Sequence, residues 1–173
     1  MTARIPTKYL LKSGKDIYTL MNIAVVDDNR QDADLLTHFL DNYKKYHSFD
    51  ITVSYYPNGE NFLASFCEND YTVIFLDIFM KDMDGIEIAK HLWEKDPQCL
   101  IVFLTTSQEH IWQAVSLHCF DYIDKQEMTQ QRIFNVLSDI RKKLPDLRRY
   151  LDFSSGNRQI HLPLKKNTVH PFG

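Results

Sequence analysis

The 173-residue sequence has few cysteines, and their spacing follows no pattern. Cys67, Cys99 and Cys119 form no CxxC pair, so neither a zinc site nor a disulfide framework is predicted, and their odd number favours reduced thiols. No stretch approaches the roughly 20 apolar residues that a membrane span needs. The basic segment 1–20 lacks the apolar core and cleavage site of a signal peptide. A cytoplasmic protein without membrane contact is expected.

The sequence also lacks an excess of either charge and a glycine-rich phosphate loop. Its formal net charge is −3, which offers the chain as a whole no electrostatic basis for binding nucleic acid. There is no GxxxxGK[ST] segment, so a nucleotide hydrolase has no support. Internal repeats and low-complexity tracts are absent. The length and the 44% share of apolar residues suit one well-packed domain with additional segments.

Strand-like and helix-like segments alternate along most of the chain. Short apolar runs predict strands, and stretches with apolar residues three or four positions apart predict helices. Strands are expected at 22–26, 51–56, 72–76, 99–104 and 120–123, and helices at 30–46, 59–69, 85–95, 108–118 and 130–144. Continuous apolar strands that alternate with helices predict an α/β fold, a doubly wound five-stranded parallel sheet covered on both faces.

Polar side chains follow four of the predicted strands at the point where each strand ends. Asp27 and Asp28 follow the first strand, Asp77 the third, Thr105 the fourth and Lys125 the fifth. The carboxyl ends of parallel strands meet at one edge of the sheet, where ligands of such folds bind. These five side chains are therefore expected to form one site.

The chemistry of this set favours phosphoryl transfer. Converging carboxylates repel one another, and a cation relieves the repulsion. Carboxylate oxygens suit Mg²⁺, which also binds phosphate oxygens. Asp77 would then be a nucleophile that forms an acyl phosphate, Lys125 would supply a point charge, and Thr105 would donate a hydrogen bond.

Each of these residues also has a simpler interpretation. An aspartate pair after a strand often caps the next helix, which is an open alternative for Asp27 and Asp28. A lone threonine at a strand end is commonly a turn residue, and a lone lysine is commonly a solvated charge. Asp84, before Gly85, is predicted to cap the next helix, and Asp82 is predicted to be a solvated loop charge.

The segments "VVDDN", "FLDIFMKDMDG", "FLTTS" and "FDYIDK" together resemble the receiver domain of two-component response regulators, over residues 21–143. The resemblance implies a flavodoxin-like fold without enzymatic turnover and a sensor histidine kinase that phosphorylates Asp77. It implies Mg²⁺ held by Asp27, Asp28, Asp77 and the backbone carbonyl of Phe79. A homodimer is left open.

The same resemblance implies that Thr105 and Tyr122 form a switch pair, and that Lys125 pairs with the phosphate. Their rearrangement would remodel the face formed by the helix predicted at 108–118 and the last strand. Two departures stand out: Lys81 and Gln126 occupy positions where the family usually has proline. The second predicts that Lys125 is less rigidly placed.

Phe79 occupies the position that borders the path of attacking water in receivers. A bulky apolar ring there is predicted to exclude water and slow dephosphorylation. Simple packing of the ring at the rim of the site is the open alternative.

The ends of the chain lie outside the resemblance to a receiver. Residues 1–20 read as an N-terminal extension and 144–150 as a linker. The segment "LDFSSGNRQIHLPLKK" (151–166) predicts two short strands around a turn and resembles the opening hairpin of a LytTR-type DNA-binding domain. Residues 151–173 are therefore expected to be a truncated start of that domain, with an unrelated tail as the alternative. DNA contact, in transcription regulation, is expected only through the part absent from this chain.

Two other functions compete with a phosphorylated receiver. A haloacid-dehalogenase-type phosphatase also uses an aspartate at a strand tip, but it needs a second aspartate two positions later, where this chain has Phe79. A receiver-like module that binds partners without phosphorylation would not need the complete set of site residues. The sequence therefore favours a phosphoryl acceptor over both.

Overall fold

Five parallel strands form the central sheet of the computed structural model, which describes residues 20–47, 50–106, 116, 118–144, 152–155 and 158–161. The strands are β1 (Leu20–Val26), β2 (Asp50–Tyr56), β3 (Val73–Asp77), β4 (Leu100–Thr105) and β5 (Asp121–Asp124). Their spatial order is β2-β1-β3-β4-β5, as in a doubly wound fold. The predicted fold class and the five predicted strands are confirmed, with strand ends that differ from the prediction by up to two residues.

The four described α-helices begin at the residues that the apolar spacing predicts, and one of them ends well before its predicted end. The helices are α1 (Arg30–His47), α2 (Gly59–Ser65), α3 (Gly85–Lys95), a short 3₁₀ helix (Lys125–Glu127) and α4 (Gln130–Lys143). The helix predicted at 108–118 lies almost entirely outside the described residues.

Helix α2 ends four residues earlier than its apolar spacing predicts. The Ser65 hydroxyl donates to the carbonyls of Asn61 and Phe62, and Phe66 is already extended. Asn69 then adopts a positive φ of 67°, a conformation that asparagine tolerates better than most residues. The apolar spacing continues past Ser65 because Phe66 still packs against the core from outside the helix.

Each face of the sheet has its own apolar core. Helices α1 and α4 cover one face through Leu36, Leu40, Ile133 and other buried side chains. Helices α2 and α3 cover the other through side chains such as Phe62 and Leu92. Because successive strand residues point to opposite faces, both faces of β1, β3 and β4 are apolar. This explains the continuous apolar runs in the sequence.

The strand register brings the polar strand ends to one level. Val26 pairs with Leu76, and Leu76 pairs with Phe103. Asp27 and Asp77 are each one residue beyond these partners. Both therefore lie side by side at the carboxyl edge of the sheet, where the sequence predicts the site.

Two further short strands lie near the C-terminus, β6 (Asp152–Ser155) and β7 (Arg158–His161), and they pair antiparallel. The residues between them lie outside the described part of the chain, so the hairpin turn stays a prediction. The N-terminal extension and the linker also fall mostly outside the described residues. No helix among the described residues is long and apolar enough to cross a membrane.

Candidate functional site

Asp27 and Asp28 lie in the connection between β1 and α1. Asp27 is fully buried, and its amide donates to the Tyr56 carbonyl, which extends the ladder between β1 and β2 by one bond. The Tyr55 hydroxyl donates to the Asp27 carbonyl at 3.1 Å. Asp27 Oδ1 accepts from the amide of Asn29. Backbone and side-chain contacts thus hold Asp27 in place.

Asn29, not the aspartate pair, caps helix α1. Its Oδ1 accepts from the amides of Gln31 and Asp32 at 3.0 and 3.4 Å. The alternative in which Asp27 and Asp28 serve as helix caps is therefore wrong. Their carboxylates are left for the site because an asparagine already satisfies the first turn.

Asp77 is the last residue of β3 and is almost completely buried. Its Oδ1 accepts from the Phe79 amide at 3.1 Å, and its Oδ2 accepts from Lys125 Nζ at 2.8 Å. Oxygen atoms of Asp27, Asp28 and Asp77 all lie within 4.8 Å of one another. The structure thus brings together the three carboxylates that the sequence predicts at this edge.

The Lys125 ammonium lies among three carboxylates. Its Nζ is 2.8 Å from both Asp27 Oδ2 and Asp77 Oδ2, and 3.1 Å from Asp32 Oδ2. Sequence reasoning missed Asp32, which lies in the first turn of α1. An acidic residue one turn after the aspartate pair was the available signal, but only the fold shows that it faces Lys125.

Burial and charge oppose each other at these groups. Burial raises the pKa of Asp77 to about 6, although Lys125 opposes the shift. Burial likewise raises the pKa of Asp27, again against the effect of Lys125. Burial alone would lower the pKa of Lys125, but Asp27 and Asp77 outweigh it and leave this pKa above its ordinary value. The site therefore carries excess negative charge in a poorly solvated place.

The 3₁₀ helix after β5 supports Lys125 in a way that proline could not. The Gln126 amide donates to Asp124 Oδ1 at 2.9 Å and closes the cap of this helix. Proline has no amide hydrogen to donate. The prediction of a loosely placed Lys125 does not match this geometry, since its side chain is only 6% exposed and contacts three carboxylates.

Thr105 and Tyr122 lie next to each other on the face that α2 and α3 cover. Tyr122 pairs with Phe103 in the register of β4 and β5, so Thr105 shares its face of the sheet. Thr105 is fully buried. Burial raises the pKa of Tyr122, and a hydrogen bond to the Thr105 side chain opposes the shift. The two predicted switch residues are thus in contact.

The connection between β3 and α3 surrounds the site with loop residues. The Lys81 amide donates to Asp28 Oδ2 at 3.3 Å, a bond that the family's usual proline could not make. The Lys81 side chain is almost fully exposed, with Nζ 4.0 Å from the same oxygen. The Phe79 ring is 45% exposed at the rim.

The other two aspartates of this connection accept hydrogen bonds from the first turns of helices. Asp84 caps α3, as predicted, by accepting from the Ile86 amide at 2.8 Å. Asp82 is an exposed loop charge, as predicted, but it also makes a contact that the sequence did not indicate. Its Oδ2 accepts from the Glu60 amide in the first turn of α2 at 3.0 Å. A carboxylate stabilises a helix N-terminus by accepting its free amides.

The carboxylates fit a small divalent cation. They offer hard oxygen ligands, which Mg²⁺ prefers. Asp27 Oδ2 is buried, and among the described residues its polar contact is the Lys125 ammonium at 2.8 Å. A buried carboxylate oxygen in this situation favours a cation.

A family model for the response regulator receiver domain matches residues 23–138. The chain belongs to the response regulator receiver family. The matched residues include the central sheet except the first three residues of β1, and all of the site residues from Asp27 to Lys125. The resemblance that the sequence motifs carry is thereby confirmed for the receiver.

Curated relatives of this receiver include regulatory proteins. The chain is 34% identical over 89 residues to the sensory transduction protein LytT of Oceanobacillus iheyensis, covering 50% of this chain and 36% of LytT. It is 30% identical over 120 residues to the transcriptional regulatory protein YpdB of Escherichia coli, covering 69% of this chain and 47% of YpdB. The chain spans between about a third and a half of the length of the curated relatives it matches.

The fold matches solved receiver structures. The response regulatory domain of protein MrkE from Klebsiella pneumoniae superposes with a TM-score of 0.63 at 25% identity. The match covers 70% of this chain and 96% of that domain. The domain's architecture is therefore that of a receiver.

Proposed function

We propose that this receiver accepts a phosphoryl group on Asp77 from a sensor histidine kinase. The observation that carries the proposal is the position of Asp77. It is the one carboxylate that lies in the three-aspartate cluster, ends the central strand β3 and accepts a hydrogen bond from Lys125. The family membership supports the same residue as the acceptor.

In the proposed reaction, a carboxylate oxygen of Asp77 attacks the phosphorus of a phosphohistidine. An O–P bond forms as the P–N bond breaks, and the electron pair returns to the imidazole. Lys125 would balance charge on the phosphoryl oxygens as a fixed point charge. The Phe79 amide, which donates to Asp77 Oδ1, orients the carboxylate for attack.

The proposal assigns Mg²⁺ to Asp27, Asp28, Asp77 and the Phe79 carbonyl. When bound, Mg²⁺ would neutralise part of the negative charge that develops on the transferred group. Asp27 holds its oxygen toward the cluster because Tyr55 and Tyr56 fix its backbone. The Lys81 amide fixes Asp28 in a similar way.

Thr105 and Tyr122 would carry the response away from the site. Their side chains are in contact, and Thr105 ends β4 directly after Leu104, which pairs with Asp77. A hydrogen bond from Thr105 to the phosphoryl group would change its contact with Tyr122. The partly buried Tyr122 side chain would then alter the surface beside β5.

Intact-mass spectrometry after treatment with acetyl phosphate and Mg²⁺ tests the acceptor. We expect the wild-type chain to gain one phosphoryl group and Asp77→Asn to gain none. Asp82→Asn is the matched control, since it removes a carboxylate from the same connection and should still be phosphorylated. No mass gain in the wild type would favour a receiver-like module that acts without phosphorylation. Steady turnover of a phosphate ester would favour a phosphatase instead.

We also propose a cytoplasmic response regulator whose output is transcription regulation of the LytTR type. The support comes from the 151–166 segment, from the antiparallel pairing of β6 and β7, and from relatives named LytT and transcriptional regulatory protein YpdB. The domain division proposed is an extension over 1–20, a receiver over 21–143, a linker over 144–150 and the start of a LytTR-type domain from 151. Sequence-specific DNA binding by a chain that carries a complete LytTR-type domain after this receiver, measured in a mobility-shift assay, would support this output.

A further inference from the structure

Asp32 reaches the Lys125 ammonium from helix α1. The distance from Asp32 Oδ2 to Nζ is 3.1 Å, close to the 2.8 Å of the contacts with Asp27 and Asp77. The Asp32 side chain is 26% exposed, whereas that of Lys125 is 6% exposed. Asp32 therefore lies on the solvent side of the Lys125 ammonium, which is otherwise enclosed.

The three carboxylates around Lys125 are not equivalent. An ammonium group has three hydrogens to donate, and three carboxylates surround this one. Asp27 and Asp77 belong to the cluster whose oxygens lie within 4.8 Å of one another, and Asp32 does not. A divalent cation in that cluster would draw on the oxygens of Asp27 and Asp77. Asp32 would then be the partner that remains with Lys125.

A divalent cation would also repel the nearby ammonium. Without Asp32, Lys125 would have to compete with the cation for the oxygens of Asp27 and Asp77 or move toward solvent. With Asp32, the ammonium keeps a carboxylate that the cation does not use. Sharing Lys125 with Asp32 thus frees the two cluster carboxylates for the cation and keeps Lys125 near Asp77.

The backbone of α1 places Asp32 for this contact. The Asp32 amide is held by the Asn29 side chain in the capped first turn. Lys125 begins the 3₁₀ helix that the Asp124 side chain caps. The ion pair therefore joins two capped helix starts that are far apart in the chain.

We propose that Asp32 is a positioning residue, which holds the Lys125 ammonium beside Asp77 while a divalent cation occupies the three-aspartate cluster. The inference rests on the proposed function in two respects, the binding of a cation by the three aspartates and the pairing of Lys125 with the phosphoryl group. The contact itself is independent of both.

Nuclear magnetic resonance of the lysine ammonium groups in the metal-free chain tests the contact. In the wild type, the enclosed Lys125 ammonium should exchange its hydrogens slowly enough to give a signal. Asp32→Asn should accelerate this exchange several-fold, and Asp32→Glu should restore slow exchange. Asp34→Asn is the matched control, because it removes the same charge from α1 at an exposed side chain paired with Arg30.

Calorimetric titration with Mg²⁺ tests the consequence. Asp32→Asn should weaken Mg²⁺ binding by roughly three- to tenfold, since negative charge is lost and Lys125 turns fully to Asp27 and Asp77. Asp34→Asn should change the affinity by less than about twofold at physiological salt, where an exposed charge is screened. Asp32→Glu should bind Mg²⁺ within about twofold of the wild type.

Two results would overturn the role of Asp32. One is an Asp32→Asn variant with wild-type ammonium exchange and Mg²⁺ affinity. The other is an equal loss of Mg²⁺ affinity in Asp34→Asn. That result would mean that loss of any negative charge from α1 weakens Mg²⁺ binding, whether or not the residue contacts Lys125. Failure of Asp77 phosphorylation in a chain that keeps both Asp32 effects would contradict only the proposed function.

Discussion

At the scale of single residues, environment separates three aspartates that look alike in "FLDIFMKDMDG". Asp77 is buried at a strand end beside Lys125, Asp82 accepts from the first turn of α2, and Asp84 caps α3. Asp77 has an elevated pKa and the carboxylate neighbours that reaction chemistry uses. A residue type within a motif therefore indicates a site only together with its burial and partners.

Phe79 permits a test at the same scale. Its half-exposed ring stands at the rim, two residues after Asp77. If the ring excludes water, Phe79→Asn should shorten the lifetime of the acyl phosphate about tenfold, a barrier change of about 1.4 kcal/mol. The lifetime is measured by intact mass after the phosphodonor is removed.

Tyr46→Asn is the control for Phe79. It removes an even more exposed aromatic ring near the last turn of α1, the end opposite the site. Its acyl phosphate should decay like that of the wild type. If the acyl phosphate of Phe79→Asn lasts as long as that of the wild type, the ring does not exclude water and only packs at the rim of the site.

At the scale of elements, the close approach of α3 to the end of β3 shapes the site. The Gly85 amide donates to the Ile78 carbonyl at 2.9 Å. A Cβ at Gly85 would lie 2.9 Å from both the carbonyl carbon of Asp77 and the Cα of Ile78, and closer still to the Asp77 carbonyl oxygen. These are backbone atoms, so a side chain could be accommodated only by moving α3 away from β3.

Gly85→Ala should therefore lower the free energy of unfolding by roughly 2–4 kcal/mol, as overpacking against fixed atoms does. Gly59→Ala is the matched control in α2. Its Cβ would meet chiefly the end of the flexible Ile88 side chain, at 2.6 Å. It should cost about 1 kcal/mol or less, because Ile88 can rotate and alanine favours the helix. Urea unfolding compares the two, and an equal loss would contradict the backbone contact.

At the scale of the whole molecule, the site lowers stability in the metal-free state. Burial raises the pKa of Asp77 to about 6, whereas an unfolded chain has an aspartate pKa of about 3.9. Between these values the folded chain binds more protons than the unfolded chain. The contribution of Asp77 to the free energy of unfolding therefore falls as pH rises from about 4 to 6.

Asp77→Asn should remove this penalty. Without metal, the variant should gain roughly 1–3 kcal/mol over the wild type at pH 7, relative to their difference at pH 4. Paired urea titrations at both pH values measure this gain. If the two chains differ by the same free energy of unfolding at both pH values, burial of the Asp77 charge does not destabilise the folded chain.

Much of the molecule follows from local pattern. The apolar period distinguishes β1 from α1, and the right-handed connection of parallel strands then places Asp27, Asp77 and Lys125 at one edge. The end of α2 was predicted wrongly because Phe66 continues the helical spacing of apolar residues, although its backbone is already extended. Local sequence thus determines the type and order of elements more firmly than their ends.

The sequence by itself determined the five-stranded alternation, the two apolar cores and the polar residues at the strand ends, because periodicity and chain connectivity are local properties. The tertiary structure alone decided that Asp32 meets Lys125, that the Lys81 amide binds Asp28 and that Asp82 supports α2. Each of these contacts joins residues distant in the chain. Their existence depends on how the loops close over the sheet edge, which no period in the sequence specifies.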